Sequence, residues 1–143
     1  MSSAFEWMLK LVELRRDRSV NQSRRAKQEW VRSQEFTQQL QGYASEYDQQ
    51  WAQVAQRGDS ALMLHTTASF GDNLRSTASA QAHETDKLQA HSQKLLQQAL
   101  QDTRRVEALQ NYMARQQSLR RAMAERREQK QLEDDLNARR ARS

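Results

Sequence analysis

The chain has 143 residues and a formal net charge of +5, from 23 basic and 18 acidic side chains, with no Cys and no Pro. Its apolar content is mostly small: 18 residues are Ala, Ile is absent, and Leu, Val and Phe together number 23. That is 16% of the chain, below the roughly 20% at which a packed globular core becomes doubtful, so a single compact enzyme-like core is excluded. Disorder is excluded as well, because Pro is missing, the charges nearly balance, and 21 Gln and 18 Arg favour helix. What remains is extended helix burying a narrow seam.

The first element is a helix from about 4 to 57. Ser3-Ala-Phe-Glu6 has capping-box spacing, which places the start there. Steps of four and three from Phe5 give Leu9, Val12, Arg16, Ser19, Ser23, Ala26 and Trp30, then Ser33, Thr37, Leu40, Ala44, Tyr47, Trp51 and Val54. This is a heptad seam, apolar at both ends and polar in the middle. Arg57-Gly58 ends the helix, with a cation in the last turn and Gly able to take a left-handed cap.

A connector follows over about 58–72. Asp59-Ser60 offers a new N-cap for a short helix to about Ser69, and Gly71-Asp72 marks a second kink. A second long helix then runs over about 73–140. Its seam reads Leu88, Leu95, Ala99, Val106, Leu109, Met113 and Met123, flanked by Leu96, Leu100, Tyr112 and Leu119.

Two long helices with a short connector fold back as an antiparallel hairpin. The expected fold is therefore all-α: a long two-helix antiparallel coiled coil with a kinked connector and a C-terminal helical overhang, one domain over 1–143. A turn centred near residue 65 would set residue i opposite about 130 − i, pairing Trp30 with Leu100, Leu40 with Ala90 and Val12 with Leu119. Residues beyond about 125 would then form a charged overhang, and a first helix of about 52 residues would make a rod roughly 78 Å long.

Catalysis needs convergent groups in a concave site, and this architecture predicts none, so no enzyme, catalytic residue or cofactor is expected. His83 and His91 share a helix face, and His65 stands apart, but no Cys or carboxylate completes a metal set. Gly42, Gly58 and Gly71 are too dispersed for a phosphate loop. No apolar run approaches the ~18 residues of a membrane span, and the N-terminal stretch has no basic leader. The expectation is a cytoplasmic protein.

Two features suggest partners. Trp7, Leu11 and Leu14 form a second apolar stripe beside the Phe5/Met8/Leu9/Val12 seam. One coiled-coil partner covers one stripe, so the second meets something else: the chain's own Leu132 and Leu136, solvent, a partner's apolar sleeve, or, less well supported by its mixed charges, a membrane surface. The run from Arg120 to Arg142, including Arg126, Arg127, Lys130, Arg139 and Arg140, is either a solvated face or a grip for acidic groups on a partner ring. Nucleic acid is not expected there, because Glu133-Asp134-Asp135 interrupts the run and no aromatic follows Tyr112.

Leu40-x-x-Tyr43-x-x-Glu46-Tyr47, then Phe70-x-x-x-Leu74, then Arg127-Glu-Gln-Lys-x-Leu-Glu-Asp together resemble the FliJ family, small coiled-coil proteins of the bacterial flagellar type III export apparatus. The resemblance covers nearly the whole chain. It implies a stalk in the pore of the hexameric (FliI-like) export ATPase, linked to the cytoplasmic domain of the (FlhA-like) membrane export gate and handling export chaperones, peripheral at the inner face of the membrane. It also implies a gate-binding patch of Leu40, Tyr43, Tyr47, Phe70 and Leu74. Thr77 and Gln81 stand where the family tends to have Ala and His, and Phe36 where it has Gln. The ATPase ring would meet Phe5, Trp7, Leu11 and Leu14 with Arg126, Arg127, Lys130, Arg139 and Arg140. The analogous stalk of an injectisome, a structural coiled-coil scaffold and a basic nucleic-acid-binding coil are the alternatives.

Overall fold

The structure is a computed structural model that describes residues 2–58 and 60–142. It consists of two helices, α1 (Ser2–Gln56) and α2 (Ala61–Arg142), with no strand among the described residues. The protein is an all-α two-helix hairpin. α1 starts slightly ahead of the expected point, so Ser3 lies inside the helix rather than capping it; helix ends commonly differ by a residue or two.

α1 stops where Arg57-Gly58 predicts. Gly58 has φ +70°, a left-handed conformation that only Gly adopts without a steric penalty. The Arg57 and Gly58 amides donate back to the Gln53 and Ala55 carbonyls at 3.1 and 3.4 Å, closing the last turn. On the other side Ser60 caps α2: its Oγ accepts from the Met63 amide at 3.3 Å and its carbonyl from Leu64 at 3.0 Å. Asp59, the other half of the expected cap, lies outside the described residues.

The expected separate short helix and second kink do not form. α2 runs through Gly71 and Asp72 without a break. With no Pro to remove a hydrogen bond, a single Gly costs a helix only about 1 kcal/mol, less than the burial gained by continuing the seam.

The chain divides into two compact units. In the unit Asp17–Leu100, every α1 position reached by the four-three stepping, from Ser19 to Val54, is buried or half-buried, and almost every position between is exposed. α2 contributes Leu64, Thr67, Gly71, Leu74, Ala78, Gln81, Thr85, Leu88, Ser92, Leu95 and Ala99 at the same steps. Ser33 meets Thr85, and Tyr47 meets Phe70 and Gly71, so facing residue numbers total 117 or 118. The expected register of 130 − i is therefore wrong by about twelve residues. Residues 61–69, assigned to the connector, belong to the paired length of α2, and the turn centres on Gly58.

The polar middle of this seam is a hydroxyl cluster. Ser33 Oγ lies 2.6 Å from Thr85 Oγ1, and Thr37 Oγ1 lies 2.8 Å from it. Gln81 Nε2 donates to Ser33 Oγ at 3.0 Å, while the Thr85 hydroxyl reaches the Gln81 carbonyl at 3.0 Å and the Thr37 hydroxyl the Ser33 carbonyl at 2.9 Å. Each hydroxyl carries one proton, so Thr85 donates to Gln81 and accepts from Ser33. The cluster is satisfied, as burial demands.

The second unit comprises Met1–Arg16 and Gln101–Ser143. Phe5 packs on Tyr112 with ring centroids 5.6 Å apart. Val106 and Asp102 are each only 1% exposed. The Asp102 carboxylate lies 3.7 Å from Arg15 Nε and 3.5 Å from Arg105 Nη1, and both arginine side chains stay largely in water. This arrangement neutralises a buried charge while leaving its partners hydrated. All described residues after Gln116 are exposed, so Met123 is not part of the seam and the overhang begins earlier than residue 125. Both corrections follow from the shifted register.

Candidate functional site

The unit Asp17–Leu100 carries a shallow groove lined by Tyr43, Glu46, Tyr47, Gln50, Phe70 and Leu74. α1 supplies the first four and α2 the last two. Tyr47 is a seam residue whose ring leans on Phe70, centroids 4.8 Å apart and planes at 52°, a tilted geometry favourable for aromatic pairs. Tyr43 falls one step off the seam and is 58% exposed, and Phe70 is 55% exposed. Arg75 borders this region, with Nη1 3.4 Å from Asp48 and Nη2 3.3 Å from Asp72.

Four of the five expected patch residues therefore share one groove. Leu40 is buried in the seam, so the surface open to a partner is Tyr43 and Phe70 with parts of Tyr47 and Leu74. Gln81, one of the departures from the family pattern, belongs to the hydroxyl cluster.

In the other unit, Trp7, Leu11 and Leu14 follow one another at helical spacing and are 68%, 60% and 65% exposed. Phe5 is half-buried against Tyr112, so it anchors the seam beside the stripe. Leu132 and Leu136 are themselves exposed; the expected alternative, in which they cover the stripe, does not occur. Arg126, Arg127, Lys130, Arg139 and Arg140 are all exposed on the overhang. A second groove, bounded by Phe5, Leu9, Tyr112, Met113 and Arg120, lies in the same unit.

His65, His83 and His91 are exposed, and among the described residues no group of His, Cys, Asp or Glu converges to hold a metal ion. No helix is long and apolar enough to cross a membrane. Both units leave large apolar or aromatic side chains exposed, Tyr43 and Phe70 in one and Trp7, Leu11 and Leu14 in the other.

The family described as flagellar FliJ protein matches residues 1–143. The chain belongs to the FliJ family. No curated protein and no solved structure matches it. Family membership makes this an export-related protein of the flagellum.

Three structural features escaped sequence reasoning: the buried Asp102, the hydroxyl cluster, and Gly71 as a seam residue. For Asp102 the signal was present, because continuing the four-three stepping from Ala99 to Val106 lands on it.

Proposed function

We propose that this FliJ-family chain, acting as one coiled-coil domain over 1–143, is the central stalk of the hexameric flagellar export ATPase and an adaptor to the cytoplasmic domain of the export gate. It escorts export chaperones and sits peripherally at the inner face of the membrane through these partners. The observation that supports this reading best is the uncovered Trp7/Leu11/Leu14 stripe. Three large apolar side chains aligned on one helix face and left in water mark a surface that a partner desolvates. Further along α2, the exposed arm with Arg126, Arg127, Lys130, Arg139 and Arg140 supplies charged groups for the polar part of the same contact. The groove of Tyr43, Tyr47, Phe70 and Leu74 takes the gate, its aromatic rings being the residue types that carry interface energy.

The test is to add the protein to the purified export ATPase. The expected result is stable co-purification and faster ATP hydrolysis, both lost in the Trp7→Ala/Leu11→Ala double variant. Unchanged hydrolysis together with a salt-sensitive shift of DNA would replace this reading with nucleic-acid binding.

A further inference from the structure

Gly71 occupies a seam position of α2 that is buried and helical, with no positive φ. Nothing in its backbone conformation calls for Gly, and Gly in a helix interior is disfavoured relative to Ala. Elsewhere this seam uses Ala where a small residue is needed, at Ala26, Ala78 and Ala99. The difference at position 71 is the neighbour. A methyl group there would meet Tyr47 Cδ1 at 3.3 Å, Tyr47 Cε1 at 3.4 Å and Arg75 Nη2 at 3.4 Å, inside the optimal carbon–carbon separation of about 3.5–4.0 Å. Arg75 can swing its guanidinium away into water. Tyr47 has less freedom, because Phe70 packs against its ring at 4.8 Å.

We propose that Gly71 is a positioning residue for the partner-binding groove: by lacking a side chain it seats the Tyr47 ring on α2 and sets the pose of the Tyr47–Phe70 pair that a partner meets. The binding half of this statement rests on the groove being the gate-contacting surface; the seating half does not. Any β-carbon at position 71 shifts Tyr47 by a few tenths of an ångström, and with it the wall shared with Phe70 and Leu74. Gly71 itself touches no partner, so its effect on binding passes through the ring.

A thermal cycle with a binding assay tests it. In the full chain, Gly71→Ala is made alone and in a Tyr47→Leu background, which keeps apolar bulk but removes the ring. The expected result is a melting temperature raised by about 2–4 °C in the Tyr47→Leu background, where only helix propensity changes, and unchanged or lowered in the native background. Gly71→Ala alone should also weaken binding of the isolated gate cytoplasmic domain roughly threefold or more, with helical content at 222 nm unaltered. Equal stabilisation in both backgrounds would overturn the seating, and unaltered gate affinity would overturn the positioning role. Failure of the wild-type chain to bind the gate domain would instead overturn the groove reading, while the melting cycle still decides whether Tyr47 sits on Gly71.

Discussion

Thr85 is the hub of the hydroxyl cluster, and Thr85→Val removes its hydroxyl with almost no change of shape or helix propensity. Three contacts disappear, at 2.6 Å to Ser33, 2.8 Å to Thr37 and 3.0 Å to the Gln81 carbonyl. Thr37 keeps its bond to the Ser33 carbonyl, so it loses little. Ser33, still receiving the Gln81 amide, is left with a buried hydroxyl proton facing a methyl group. The cost of one stranded polar group with its lost net bonds is about 1–2 kcal/mol. Replacing all three hydroxyls, as Ser33→Ala/Thr37→Val/Thr85→Val, strands nothing, since half-buried Gln81 can turn its amide to water. That variant should recover to within about 0.5 kcal/mol of the native chain or exceed it. Urea or thermal unfolding followed at 222 nm measures the native chain, the three single variants and the triple variant. A neutral Thr85→Val, or a triple variant as costly as its single changes added together, would refute the cluster as drawn.

Val106→Ala removes two methyl groups from a site only 1% exposed, and should destabilise by about 2 kcal/mol in the same unfolding assay, because area is lost and a small cavity remains. Trp7→Ala/Leu11→Ala should leave stability within about 0.5 kcal/mol, since both side chains are in water, while stimulation of the export ATPase falls; a large melting loss would place the stripe in a core. Deleting 126–143 should likewise spare the hairpin's melting temperature, because every described residue in that range is exposed, and impair ATPase coupling; collapse of the helical signal would make the arm structural.

Reading α1 from its sequence works well because a coiled coil has one rule. The stepping that begins at Phe5 arrives at Ser19, Ser33 and Thr37 although none is apolar, and the structure buries all three. Periodicity fixes which face of a helix is covered; it says little about which residue lies opposite. The pairing depended on the turn, and Gly71-Asp72 carries the same local signature as a helix end although α2 passes through it. Gly at 58 is needed for a positive φ and Gly at 71 for a close approach, and composition alone does not distinguish those demands. Asp102 was missed for a related reason: the α2 seam was assembled from its apolar residues, so a carboxylate held by Arg15 and Arg105 did not stand out. The groove was legible only in part. Periodicity set Leu40 and Tyr47 on the seam and Tyr43 just off it, while the link from these to Phe70 and Leu74 came from family resemblance and depends on a register that the sequence misplaced.

In the proposed function partners grip exposed rings rather than the seam, and Tyr43 isolates that contact. It is 58% exposed and lines the groove beside Tyr47 and Phe70. Calorimetric titration of the export-gate cytoplasmic domain into wild-type and Tyr43→Ala protein is the direct measurement. The expected affinity is lower by about 1–2 kcal/mol in the variant, at an unchanged melting temperature. Equal affinity for the two proteins, or a variant that melts early, would contradict it.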